Sequence, residues 1–433
     1  MKKILVASDT PWNTNNSFGN SYANIFDKLE GYEIANIYCK EGIVNDKRVS
    51  RAFKVTAKML LKNLQNPSCP SGIETGIEDI KEDHAEFTKC EHAVINFGKK
   101  YRFQIFFWIY GCIWRIGKWN SLELEEFVAD YNPDLLFCPI YPFTYMNRLV
   151  LELKKKTGAP LMGYISDDNY TFRMVNFSPL YWINRFMMRK SVKRVVDQCD
   201  ILYVISDIQK REYDKIFRKD CHILTKGKDF SVIPPSYKRN HKQPYILVYA
   251  GNIGGARWKT LKIIVDVMRE INKRKLYFML YIYTATPLTG KMKKALNVPG
   301  VSKLMGKIPY SEVEKKQLQA DLLLHAAPID LIHRWEEHHG FSTKLVDYMA
   351  SNRAILSYGF DDQAAVEHLR KHDGAFVASN KAELKEIFMK IIKNPRLLEE
   401  YGKKAWKCGA DFHDIKGFHK MLKKDFESLL QES

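Results

Sequence analysis

Twice along this chain a short apolar run gives way to a polar, glycine-bearing loop and then to a helical period, and that repeated order constrains the fold most. Residues 3–8 read as a strand, 9–20 as a loop containing Gly19, and 21–29 as a helix. Strand-like runs recur at 33–38, 134–139, 160–165 and 201–205 with helical segments between them, the pattern of a parallel sheet covered on both faces. Residues 234–244 are polar, bracketed by proline and free of apolar period, so they read as a linker. The order then restarts with a strand at 245–250, a glycine-rich turn and a helix from about 260 to 272. Strands at 277–283, 321–325 and 354–359 follow. The expected class is α/β: two Rossmann-like domains, 1–234 and 245–405, joined by 235–244 and facing each other across a cleft. Residues 406–433 continue a helical pattern.

Length agrees, since 433 residues suit two domains of roughly 200 residues better than one core. With 45% hydrophobic and 27% charged residues, the chain is neither disordered nor fibrous in composition. Its eight cysteines, Cys39, Cys69, Cys90, Cys112, Cys138, Cys199, Cys221 and Cys408, form no C-x-x-C pair. That spacing favours a reduced compartment over a disulfide scaffold or a zinc ribbon. The apolar run after Met1-Lys2-Lys3 ends at Ala7, so it reads as a first strand, not an export signal.

Chemistry concentrates in His339-Gly340-Phe341-Ser342-Thr343-Lys344-Leu345-Val346-Asp347-Tyr348-Met349-Ala350, a polar loop entering a helix. Gly340 permits close approach of a ligand, Ser342 or Thr343 can cap, and free N–H groups at a helix start favour an anion. Asp347 lies four residues after Thr343, on the same face one turn farther, where a carboxylate suits a ribose diol. Asn352 closes the helix in a left-handed position. A second loop, Gly251-Asn252-Ile253-Gly254-Gly255-Ala256-Arg257-Trp258-Lys259, follows a strand and precedes a helix. Its glycines let amides approach a diphosphate, with Arg257 or Lys259 to neutralise the departing phosphate. Asp167 and Asp168 end another strand, where both carboxylates would point into the cleft or else cap a turn.

The eight-residue spacing from His339 to Asp347, with Gly340-Phe341-Ser342 between, resembles the nucleotide-sugar motif of retaining GT-B glycosyltransferases of family 4 type. That motif normally begins and ends with Glu. The resemblance implies that its first acidic residue contacts the transferred sugar, the loop amides hold sugar and diphosphate, and its last acidic residue holds the ribose. Asp347 matches the last, whereas an imidazole, His339, replaces the first carboxylate. It also implies a basic pair in the first loop of the second domain. Arg257 occupies the later place and Asn252 stands where the earlier Arg usually does, with Lys259 and Lys344 as further cations. Asp167 or Asp168 would then position the acceptor, and Gly19 and Asn20 would lie near the phosphates or acceptor. The terminal helices are expected to cross back onto the first domain.

The implied activity is transfer of a hexosyl group from a nucleotide-sugar to a sugar or lipid-linked acceptor, with retention, in assembly of bacterial surface polysaccharide or glycolipid. No cofactor and no metal are expected; His333, His338 and His339 have no matching acid or cysteine cluster in sequence. A nucleotide-sugar epimerase of the same fold is the alternative. The formal charge of +18 permits nucleic acid or an anionic membrane face as partner. No helix-turn-helix, zinc finger or RRM signature accompanies it, so nucleic acid is not expected. The aromatic run 102–115 between basic residues, and the basic-amphipathic run 181–194, fit a segment in the lipid interface as well as a buried helix and a solvated face. The expected location is the cytoplasm, peripheral on the inner face of the cell membrane.

Overall fold

The computed structural model describes residues 1–14, 17–76, 104–236 and 243–432. The first sheet contains β1 (Lys2–Ser8), β2 (Tyr32–Tyr38), β3 (Val49–Lys54), β4 (Ile73–Thr75), β5 (Leu135–Pro139), β6 (Leu161–Ile165), β7 (Ile201–Val204) and β8 (Cys221–Ile223). Their order is β4-β3-β2-β1-β5-β6-β7-β8 among the described residues, parallel except at the antiparallel β3–β4 edge. The second sheet contains β9 (Tyr245–Ala250), β10 (Phe278–Tyr283), β11 (Ser302–Gly306), β12 (Leu322–Ala326), β13 (Ala354–Tyr358) and β14 (Phe376–Ala378), in the order β11-β10-β9-β12-β13-β14.

Both sheets are buried on both faces, as parallel sheets with crossover helices must be. In β1, Leu5 and Ala7 join one core while Ile4 and Val6 join the other, the period-two alternation of a strand. β5 repeats it with Leu136 and Cys138 against Leu135 and Phe137. Helix Leu397–Phe412 packs on the second domain through Leu398, Ala405 and Cys408. The following helix, Ile415–Glu432, leaves it and buries Leu422, Phe426 and Leu429 in the first domain beside Ile4 and Val6. At about 1.5–3 kcal/mol per buried side chain of this size, those three anchor the crossing. Asp425 adds a polar anchor, accepting from Tyr203 Oη at 2.7 Å and lying 2.8 Å from His222 Nδ1.

Several local expectations change. The first helix spans Ser17–Ile25, so Gly19 and Asn20 lie in a helix, not in a loop. A Cβ at Gly19 would sit 2.1 Å from the Asn13 carbonyl oxygen, so the preceding loop lies directly on the helix there. The helix after the glycine turn starts at Arg257 rather than near 260. Five strands, β3, β4, β8, β11 and β14, carry no strong sequence signal, being short or irregular in pattern. Residues 102–103 of the aromatic run and 237–242 of the linker lie outside the described residues. The linker's start is tied to the second domain: the Pro235 and Ser236 carbonyls accept from Asn352 Nδ2 at 3.0 Å and Arg353 Nη2 at 3.2 Å.

Candidate active site

β9 delivers the chain into a turn that only special backbone angles can make. Gly251 has φ 149°, Gly255 φ 54° and Ala256 φ 61°. The last is a non-glycine in the left-handed region, a strain of about 1–3 kcal/mol that the surrounding structure must hold. Asn252 braces the turn, its Oδ1 accepting from the Gly254 amide at 2.6 Å and from Thr286 Oγ1 at 2.8 Å. Where the resembled enzymes carry a cation, this chain therefore has a structural amide. Gly254 is part of the same brace, since a Cβ there would meet Asn252 Oδ1 at 3.0 Å.

Opposite the turn stands Lys344, the first residue of helix Lys344–Ala350. Its ammonium lies 4.2 Å from the Tyr249 ring centroid and 3.2 Å from where a Gly251 Cβ would be. Any side chain at 251 would press on that charge. Lys344 makes no salt bridge among the described residues; burial first, and Arg257 second, push its pKa down to about 7. The same two cations, after burial, push His325 down to about 3, so its buried ring is neutral and Nδ1 pairs with Ser357 Oγ at 2.9 Å. Arg257 is neutralised by Glu337, in close contact with its Nη2. Lys259 points outward, exposed. The result is a partly desolvated positive site with a glycine wall.

The remaining motif residues divide. Asp347 is reached from the first domain: Lys226 Nζ donates to both carboxylate oxygens at 2.9 Å, and Lys228 Nζ stands at 3.5 Å. Ser342 and Thr343 do not cap; Thr343 holds the cap position with φ −57° and its side chain makes no cap bond. Gly340 has room, the nearest atoms to an added Cβ being 3.8 Å away in Glu337. Phe341 is core, stacked on His413 at 4.8 Å and edge-on to His368 at 5.3 Å. Asn352 adopts the left-handed conformation, φ 53°.

His339 is the sharpest revision. It is fully buried, with Nε2 2.8 Å from Glu212 Oε2 and Nδ1 3.8 Å from Asp168 Oδ2, and its carbonyl accepts from Ser206 Oγ at 2.7 Å. All three partners come from the first domain. Glu212 also takes Arg173 and His338 Nε2, the latter at 3.1 Å. Burial opposes its charge, but His339, Arg173 and His338 together hold its carboxyl well below the ordinary range. This position therefore fastens the two domains together.

The two strand-end acids separate as well: they do not both face the cleft, and Asp168 takes the turn-capping alternative. Asp168 is enclosed: it accepts from the Tyr170 and Thr171 amides at 3.0 and 2.8 Å and from Tyr213 Oη at 3.2 Å, and pairs with buried Arg185 at 3.4 Å. Burial pushes its carboxyl up, but His339, Thr171 and Arg185 outweigh that and hold it below the ordinary value. Asp167 is exposed to solvent yet walled in by protein; that burial, then Asp168, raises its carboxyl against a hydrogen bond from Ser166. It alone of the pair is available to a ligand. Gly19 and Asn20 lie on the first helix, with Gly19 set against the Asn13 backbone.

Sequence reading passed over Glu212, Glu337, Tyr249 and His325. No spacing could have marked Glu212, because the two histidines that it pairs with lie more than a hundred residues away. Lys226 and Ser206 resemble family landmarks in the sequence, but each by itself reads equally as a turn or a cap. The basic surface resolves into faces: Trp114 is buried and stacks on Tyr145 at 4.5 Å, whereas Trp108, Ile109 and Ile116 on the same helix are exposed. Trp108 Nε1 donates to Asn184, joining that helix to Pro179–Gln198, which exposes Leu180, Ile183 and Phe186. Among the described residues no helix is long and apolar enough to cross a membrane.

No family model and no curated protein sequence matches the chain. Solved structures do. Sucrose-phosphate synthase from Thermosynechococcus elongatus aligns with TM-score 0.63 at 10% identity, covering 100% of each chain. The Anabaena protein HepE in complex with UDP aligns with TM-score 0.63 at 11% identity, over 99% of this chain and 100% of that one. A glycosyltransferase from Rickettsia africae aligns with TM-score 0.57 at 13% identity, covering 100% of each. Identities this low speak to the fold, and the fold is that of the GT-B glycosyltransferases: two parallel Rossmann-like sheets with a terminal helix returning from the second domain to the first.

Proposed function

We propose that this protein is a glycosyltransferase that moves a hexosyl group from a nucleotide-sugar donor to a sugar or lipid-linked acceptor. The observation that carries the reading is Lys344: a partly buried ammonium without an ion-pair partner among the described residues, beside Arg257 and against the Gly251 turn. A diphosphate would restore its charge. As the bond to the sugar breaks, negative charge grows on the leaving phosphate, and fixed cations there favour the transition state over the ground state. Lys344 and Arg257 supply that charge, so we propose transfer without a metal at the diphosphate, and retention of configuration by resemblance to family 4.

Asp347 would hold the ribose once Lys226 turns from it, and Asp167 would orient the acceptor hydroxyl. With Asp168 and His339 consumed in the junction, the donor sugar would be held by the backbone around Gly340. Surface-polysaccharide or glycolipid assembly is the setting proposed. The exposed Trp108, Ile109, Ile183 and Phe186, near Arg115, Lys118, Lys190 and Lys193, suit an anionic lipid face on the cytoplasmic side.

Thermal shift with a panel of nucleotide sugars tests the reading, UDP-sugars first. A donor is expected to raise the melting temperature by mass action, and then to yield a glycoside with a suitable acceptor. No shift with any donor would overturn the donor site; isomerised nucleotide sugar without glycoside would convert it to an epimerase.

A further inference from the structure

The motif loop rests on a cluster of imidazoles that glycosyl transfer as described does not use. His368, on helix Ala364–Lys371, His372 at its end, and Asp207 at the start of helix Asp207–Phe217 each bring a ligating atom within 4.8 Å of the other two. His368 Nδ1 is 3.5 Å from Asp207 Oδ2. Bonds of about 2.0–2.2 Å in a tetrahedral shell place ligands roughly 3.3–3.6 Å apart, so this pair is already at ligand spacing. On its far side, His368 Nε2 lies 3.2 Å from His413 Nε2 and 3.6 Å from Cys408 Sγ. When His368 donates that Nε2–H to His413, its Nδ1 lone pair is left facing Asp207, the orientation an outer-shell partner gives a metal-binding imidazole.

A second group, Glu212 with His338 and His339, is equally close. It differs in one respect: the Arg173 guanidinium already contacts both Glu212 and His338, so a cation fills it. At Asp207 no guanidinium or ammonium makes such a contact among the described residues, and Lys371, whose charge favours the carboxylate, is exposed. The Asp207 carboxylate is 38% exposed, which gives an ion a route in and leaves room for a water ligand.

We infer that Asp207, His368 and His372 form a binding site for a divalent cation of the zinc class, fastening the first domain to the second beneath the motif loop. Nitrogen and carboxylate ligands in a half-open site match that ion. Because Phe341 packs on His368 and His413, the ion also steadies the loop that carries Gly340 and Lys344. The site is separate from the diphosphate cradle, and its existence does not depend on the glycosyl-transfer reading.

The full chain, stripped with a chelator, is titrated with zinc chloride against a chromogenic zinc indicator. One site per chain is expected. His372→Ala and Asp207→Asn, both at partly exposed positions, should each weaken it by more than the roughly 10–100-fold typical of an outer-shell change. His338→Ala should leave it in place, and zinc should raise the melting temperature of the wild type but of neither site variant. Wild-type binding no tighter than that of the folded site variants would overturn the inference, as would an equal loss in His338→Ala. If one site variant fails to fold by far-UV circular dichroism, the other decides.

Discussion

Two clusters of charge lie along the junction of the domains, and they are balanced in opposite ways. Around Glu212 every strong charge has its partner: Arg173, His338 and His339 converge on one carboxylate, and Asp168 is met by Arg185 and backbone amides. Around Gly251 the account is left open, with Lys344 beside Arg257 and no carboxylate of its own. A balanced buried cluster fixes geometry; an unbalanced one stores affinity for an absent counter-charge. The difference assigns holding the domains to the first and binding an anion to the second, although the resembled motif names residues in both.

The strongest way to break that contrast is Lys344→Met, which keeps the packing of the stem and removes the charge. Loss of the nucleotide-sugar thermal shift and a fall in turnover of about 100–1,000-fold are expected. The same variant should melt higher than wild type in the absence of donor, since a desolvated cation is gone. A variant that binds donor normally would end the cradle's assignment. Glu212→Ala should behave in reverse, costing about 1–3 kcal/mol in a denaturant titration by stranding buried donors while nucleotide still shifts the melting point. The depressed Glu212 carboxyl carries the same sign into acid: its contribution is complete above the ordinary carboxylate range and is lost as pH falls toward its folded value.

A pH series sharpens the contrast further. Lys344 is charged below about 7, so donor affinity should be full there and fall by up to about tenfold per unit above it. Calorimetry above pH 7, in buffers of different ionisation heat, should register proton uptake on binding; a pH-independent affinity with no uptake would exclude Lys344 as the titrating group. The smallest effect is expected for Glu337→Gln, which releases Arg257 and should tighten donor binding only a few-fold, in keeping with a partly exposed ion pair.

Much of the architecture was legible before any coordinates. β9 was readable to the residue because apolar Tyr245–Ala250 is bounded by a proline and a glycine, and β1, β5 and β6 to within a residue at each end for similar reasons. Asn352 announced a left-handed helix end, and it has one. The short edge strands β8 and β14 were not legible, because three residues carry no period. Ser342 and Thr343 failed as caps because the helix they precede begins from an already helical backbone.

At the site, sequence alone determined which residue types gather near the strand ends: two glycine loops, cations at 257 and 344, carboxylates at 167, 168 and 347. Only the tertiary structure decided which of them are spent. Whether a charge is free depends on partners distant in sequence: Glu212 for His339, Lys226 for Asp347, Arg185 for Asp168, Glu337 for Arg257. Local pattern fixes strands and turns because those forces act between near neighbours, whereas pairing and desolvation are set by how two sheets, far apart in the chain, are brought face to face.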